Sequence, residues 1–205
     1  MTGAIRKLLA GGSDGNERLT AATAAVLLFL LAAEGATLVA IGRLLLPHVF
    51  LGFLLIPPVL LKLASTGWRM LRYYRHADEY VRRGPPAVLL RVLVAPITVL
   101  ATVVLFGSGV AVVALGRGGI LLGVHKVSFI VWFAAMSVHV LAHVLELPRL
   151  IVVDWWRPDR LGGRRVRQRV LAGTLFAGLA LAFMTLPLTD HWQDRVTAVV
   201  GFDAR

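Results

Sequence analysis

An apolar stretch running from Gly123 to Pro148 carries three histidines, His125, His139 and His143. At about 100° per residue in an α-helix, the fourteen steps from His125 to His139 fall about 40° short of four turns, and the eighteen steps to His143 close five turns. All three imidazoles therefore share one helix face. An imidazole can offer one ring nitrogen to a metal while the other donates a hydrogen bond. Facing lipid, such rings would waste those capacities, so this face looks into a bundle. Fourteen residues carry the chain about 21 Å along the helix axis, so His125 and His139 stand at two depths. The chain has no cysteine, which excludes thiolate ligation, disulfides and iron–sulfur clusters. Ligation of any metal falls to His, Met, Lys, Tyr or a carboxylate.

The elements that must position these side chains are membrane spans. Only 16% of residues are charged and 58% are hydrophobic, far from the balance of a soluble domain, in which roughly a quarter are charged. The expected fold is an all-α integral membrane protein. Residues 1–20 read as a cytoplasmic N-terminal tail. A transmembrane bundle follows over 21–188, with five spans at about 21–42, 44–66, 87–115, 120–147 and 170–188, each about as long as a bilayer requires. Residues 189–205 read as an extracytoplasmic tail. Arg43 and Arg117 lie in the two short turns. The polar loops 67–86 and 148–169 carry five and seven arginines respectively. A topology with the N-terminus inside and the C-terminus outside places both rich loops in the cytoplasm, as the positive-inside rule requires. That placement, together with attraction to anionic lipid, accounts for most of the +11 net charge without a nucleic-acid partner.

In this topology spans two and four run in the same direction. His48 opens span two and His125 opens span four. Fourteen residues after His48 stands Lys62, and fourteen after His125 stands His139. The two helices thus carry parallel registers, His-x13-Lys and His-x13-His. His48 and His125 can approach one iron from opposite sides, a ligand pair suited to electron transfer.

The segments PHVFLGFLLIPPVLLKLASTGWR (47–69) and GVHKVSFIVWFAAMSVHVLAH (123–143) resemble the bacterial di-haem b-type transmembrane cytochromes. The resemblance covers spans two to four. It implies a four-helix haem-binding bundle core with haem b ligated by His48 and His125. His139 would be one ligand of a second haem, whose fourth histidine position is occupied here by Lys62. It further implies electron exchange with a quinone in the bilayer, a redox partner protein at one surface, and residence in the plasma membrane as a multi-pass protein.

Other residues extend the picture. Arg43, Arg117 and Lys126 stand at the outer surface, where they can pair with haem propionates or anchor the interface. Gly107-Ser108-Gly109 can let a flat macrocycle approach backbone, or let helices pack closely. Lys62 can snorkel to the headgroups or partner His139, His143 or Glu146. His139, His143 and Glu146 are also spaced to hold a divalent ion. Glu34, near the middle of span one, must be protonated or paired. It could handle protons or donate a hydrogen bond to a neighbouring helix. Pro57-Pro58 and Pro96 are expected to kink their spans, freeing carbonyls for partners such as Lys62. Phe129, Trp132, Phe133 and Met136 read as packing. A haem-free transport or proton-handling protein built on Glu34, Lys62 and His139 stands as the alternative function, and a structural membrane subunit as a third.

Overall fold

The computed structural model describes residues 12–82, 90–115, 119–143 and 163–189, and it is all-helical, with no strand among the described residues. Five long helices follow in order: α1 (Gly12–Thr37), α2 (Ile41–Tyr74), α3 (Ala95–Leu115), α4 (Ile120–His143) and α5 (Arg164–Thr185). Four helical stretches are long and apolar enough to cross a membrane: Gly12–Tyr74, Val92–Leu115, Ile120–Ala142 and Arg164–Thr189. The distribution of side chains agrees. Ile120 is 81% exposed and Met184 78%, whereas the interior holds Thr23, Thr37, Ser65, Thr98, Thr102, Ser108 and Ser128. Small hydroxyl residues inside and large apolar ones outside is the arrangement lipid selects, because apolar side chains gain nothing by hiding from hydrocarbon. The chain is a multi-pass membrane protein.

The first of the four stretches is a hairpin. A 3-10 turn, Leu38–Ala40, ends α1, and the backbone leaves helical geometry at Ala40 (φ −138°, ψ 49°) and again at Leu44 (φ −104°, ψ 20°). These breaks flank Gly42-Arg43, where the sequence placed the turn. Pro47 lies in the first regular turn after the second break, where a missing N–H costs least. Antiparallel pairing is fixed by contacts at both ends of the hairpin: the Asn16 side chain reaches the Ser65 carbonyl, and Glu34 meets His48.

Both helices overrun the apolar segments that announced them. α1 begins at Gly12, so residues 12–20, expected as tail, are helical. α2 continues through the expected loop to Tyr74. Polarity marks where a helix leaves the bilayer, whereas its backbone stops only where it is capped. At the end of α2 the His76 N–H donates to the Tyr73 carbonyl and the Ala77 N–H to that of Arg72. This is a Schellman closure with His76 in the left-handed position (φ 54°) that glycine usually takes. A single helical turn, Asp78–Val81, then folds back so that a Glu79 carboxylate oxygen accepts from the Ser13 N–H at the start of α1 (3.3 Å).

α2 is the central helix, packed along α1 on one side and α5 on another. The Pro57-Pro58 pair leaves its dihedrals within the helical range. What the prolines do is remove the N–H groups that would have bonded the carbonyls of Phe53 and Leu54. The freed Leu54 carbonyl is met by Gly178 of α5, which approaches so closely that a Cβ there would collide with backbone. Lys62 is not its partner. Pro96 stands where the helix changes register: a π-helical turn, Leu90–Val94, runs directly into the first turn of α3.

α3 and α4 form a second antiparallel hairpin. At mid-height the Trp132 indole N–H donates to Thr102 Oγ1 (3.0 Å), and that hydroxyl donates on to the Thr98 carbonyl (2.7 Å). Trp132 is thus a packing residue with a satisfied polar tip, and Phe129 stacks beside it. The α3–α4 hairpin joins α2 and α5 through an apolar cluster of Val49, Phe53, Val112, Val113 and Ala182, with Leu121 packed against it. That cluster lies toward the end of the bundle where the α1–α2 turn is found.

Candidate functional site

Beside this cluster the structure brings His48 of α2 and His125 of α4 together, with ring centres 6.4 Å apart and planes at 77°. Each ring is held by its Nδ1 atom. His48 Nδ1 lies 2.9 Å from Glu34 Oε1 and 3.0 Å from Thr37 Oγ1, both on α1. His125 Nδ1 lies 3.1 Å from the Leu105 carbonyl oxygen and 3.3 Å from Ser108 Oγ, both on α3.

The protons in this array can be assigned by counting donors. The one hydroxyl proton of Thr37 is spent on the Glu34 carbonyl, and that of Ser108 on the Leu105 carbonyl. Both hydroxyl oxygens therefore face the imidazoles as acceptors. A backbone carbonyl can only accept, and an ionised carboxylate can only accept. The Leu105 carbonyl therefore takes the Nδ1 proton of His125 and leaves its Nε2 lone pair free, and an ionised Glu34 does the same for His48. That is the tautomer in which a histidine binds a metal through Nε2, with an acceptor behind it fixing ring orientation.

Local sequence explains the fit. Gly52 follows His48 by one helical turn, on the side that faces α1; a Cβ there would come within 3.7 Å of Glu34 Oε1. Gly109 plays the same part for His125, whose Cε1 would lie 3.1 Å from an added Cβ. The Gly-Ser-Gly segment therefore seats the histidine ring itself, through Gly109 and Ser108. Gly107 faces open space. Glu34 Oε2 is buried with no hydrogen-bond partner among the described residues.

The remaining candidates are placed as follows. Arg43 and Lys126 are exposed at the same end as His48 and His125. Arg117 and Glu146 lie outside the described residues, as does the side chain of His143, the last residue of α4. Lys62 Nζ donates to the Thr20 carbonyl of α1 (3.1 Å). It belongs to a polar cluster in which Asn16 Nδ2 donates to the Ser65 carbonyl (3.1 Å), Thr20 Oγ1 to Ser65 Oγ (3.0 Å), and Ser65 Oγ to the Lys62 carbonyl (3.0 Å). His139 is half-buried on α4. Among the described residues no three His, Cys, Asp or Glu side chains are grouped to hold a metal ion, so any metal at His48 and His125 needs further ligands of its own, as a porphyrin supplies.

The partnership of Glu34 with His48 is the element that sequence reasoning left open. A simple signal locates it. In an antiparallel hairpin, residues equidistant from the turn lie at one depth. Glu34 and His48 each stand seven positions from Ile41, and Thr20 and Lys62 each stand twenty-one from it. Folding the sequence at Ile41 pairs both sets.

Compared with protein-family models, curated proteins and solved structures, the chain matches none.

Proposed function

We propose that this protein is a membrane electron carrier of the b-type cytochrome kind, holding one haem b between α2 and α4 through His48 and His125. The observation that carries the reading is the matched anchoring of the two rings: both are held at Nδ1, the arrangement in which Nε2 serves a metal. Their spacing fits as well. A ring nitrogen binds a first-row metal at about 2 Å with the ring centre about 1 Å beyond, so two imidazoles on opposite sides of one ion have centres about 6 Å apart. The haem, when bound, supplies one-electron chemistry at its iron. The chain's own contribution is to fix two ligands from different hairpins and to keep water out with the apolar cluster beside them. Arg43 and Lys126 are the exposed cations at that end that would pair with propionates.

The same reading takes the α1–α2 hairpin as two spans, giving five in all. At about 1.5 Å per residue, α1 and α2 extend about 39 and 51 Å, each more than a bilayer core. The arginine-bearing ends of α2 and α5, Arg69 to Arg75 and Arg164 to Arg169, lie at one end of the bundle, opposite the α1–α2 turn. Placing that end in the cytoplasm of a plasma-membrane protein satisfies the positive-inside rule. A quinone in the bilayer and a redox protein at one surface would then be the electron partners.

The test is a pyridine haemochrome assay on protein purified from haem-replete cells. About one haem per polypeptide is expected, lost in His48→Ala and in His125→Ala. A colourless wild-type preparation overturns the reading. The alternative, a haem-free proton-handling protein, draws on the buried Glu34–His48 contact and the unpartnered Glu34 Oε2. It predicts that Glu34→Gln stops proton flux in reconstituted vesicles while no pigment is present at all.

A further inference from the structure

The two rings are held at Nδ1 by unlike groups. Behind His125 stand a backbone carbonyl and a hydroxyl, both neutral. Behind His48 stand a hydroxyl and a carboxyl group. The Glu34 side chain is 16% exposed and its Oε2 is fully enclosed. A carboxylate in such surroundings is costly, and its single hydrogen bond among the described side chains and Thr37 contacts is to an imidazole.

We propose that Glu34 is a positioning residue that makes the two histidine ligands unequal: by accepting the Nδ1–H of His48 as a carboxylate, it turns that ring into the stronger electron donor and lowers the reduction potential of the site. This rests on the haem reading above. The physical argument has two parts. A carboxylate hydrogen-bonded to Nδ1–H pulls the proton outward and raises the basicity of Nε2, so His48 stabilises the more positive ferric ion over the ferrous one. The negative charge itself lies within a ring's breadth of the ligand in a medium of low dielectric constant, which adds to the preference for the oxidised state. Reduction adds one electron to the iron, supplied in the test by a redox mediator. No bond is made or broken, and the Glu34–His48 hydrogen bond persists in both states. His125, with neutral acceptors only, leaves its side of the iron at the ordinary level.

The experiment is a mediated redox titration of purified Glu34→Gln against wild type, with Ser108→Ala as the comparison on the other ring. Glutamine keeps a carbonyl that can accept from Nδ1–H, so ligation survives and only the charge is removed. At the wild-type midpoint potential the reduced-to-oxidised ratio of Glu34→Gln is expected to rise at least tenfold, which is about 59 mV for one electron. Ser108→Ala is expected to change it less than threefold, because Leu105 still accepts from His125. Haem content should stay at the wild-type level in both. Should Glu34→Gln lose haem, Glu34→Asp is expected to retain it with a near-wild-type midpoint, and an Asp variant that loses haem equally overturns the inference. A coloured Glu34→Gln with an unchanged midpoint overturns this inference alone. A colourless wild-type protein overturns the haem reading and this one with it.

Discussion

Two polar clusters tie helices together in this protein, one near the α1–α2 turn and one near the arginine-bearing end, and they differ in what they join. The first runs from Glu34 and Thr37 on α1 through His48 on α2 to His125 on α4, and on to Ser108 and Leu105 on α3. It crosses between the two hairpins. The second, Asn16, Thr20, Lys62 and Ser65, stays within the α1–α2 hairpin. The sequence registers are the same in both places, since Lys62 follows His48 at the interval by which His139 follows His125. Equal register gives equal depth along parallel helices. It does not give equal azimuth, because fourteen residues leave the second position rotated by about 40° from the first. On α2 that rotation accompanies a change of partner, from Glu34 of α1 and His125 of α4 at His48 to the Thr20 carbonyl of α1 at Lys62. Depth and facing are separate requirements for a shared ligand, and under the proposed haem reading His48 and His125 meet both.

The largest effect that separates the clusters is therefore on pigment. His48→Ala and His125→Ala are each expected to remove essentially all haem, whereas Lys62→Met and His139→Ala should leave haem per polypeptide unchanged. The pyridine haemochrome assay reads all four. A loss of about half the haem in His139→Ala would break the comparison, because it would mean that the arginine end also ligates iron.

A smaller effect is expected where α2 meets α5. Gly178 lies against the Leu54 carbonyl that Pro58 leaves without a helical donor, and the atoms an added methyl would meet are all backbone. Backbone cannot swing aside as a side chain can. Gly178→Ala should therefore cost about 1–3 kcal/mol, the range for overpacking an interior contact, read as a lowered midpoint in denaturant titration in detergent. It should also loosen the apolar cluster that contains Ala182, one turn along the same face of α5, and so weaken haem retention on heating without abolishing ligation. Gly173→Ala, on the same helix with nothing near its Cβ, is expected to be neutral or slightly stabilising.

What the sequence made legible follows from the same distinction. Apolar run length located the membrane helices, and the Gly42-Arg43 turn falls between the breaks at Ala40 and Leu44. His48 and His125 could be placed at one depth because both open spans that run in the same direction, and the structure sets their rings 6.4 Å apart. Helix ends were less legible. α1 and α2 extend through polar residues because capping by His76 and Glu79, not hydropathy, decides where they stop. Partner choice was least legible. Lys62 was matched to His139 by depth, yet its amine goes to the Thr20 carbonyl. Glu34 was recognised as a costly residue without its partner being named. Both partners lie on the facing helix of the first hairpin, and counting outward from Ile41 finds each of them. The free Leu54 carbonyl was implied by Pro58, but that a glycine on α5 would cover it depends on helix crossing, which no local pattern encodes.

The smallest prediction uses one substitution at both ends of that hairpin. Thr20 and Thr37 each place a hydroxyl between α1 and α2: Thr20 Oγ1 donates to Ser65 Oγ, and Thr37 Oγ1 accepts from His48 Nδ1. Valine keeps the shape and removes the hydroxyl. Thr20→Val is expected to cost about 0.6 kcal/mol, the usual worth of an interhelical hydrogen bond in a membrane protein, with haem absorbance unaltered. The Thr20 carbonyl that holds Lys62 is backbone and remains in place. Thr37→Val should cost a similar amount of stability, since the Glu34 carboxylate still accepts from His48. It should nevertheless change the low-spin electron paramagnetic resonance signal, because one of the two groups that set the His48 ring angle is gone. A spectral change in Thr20→Val, or none in Thr37→Val, would count against the proposed division of the hairpin between support and ligation.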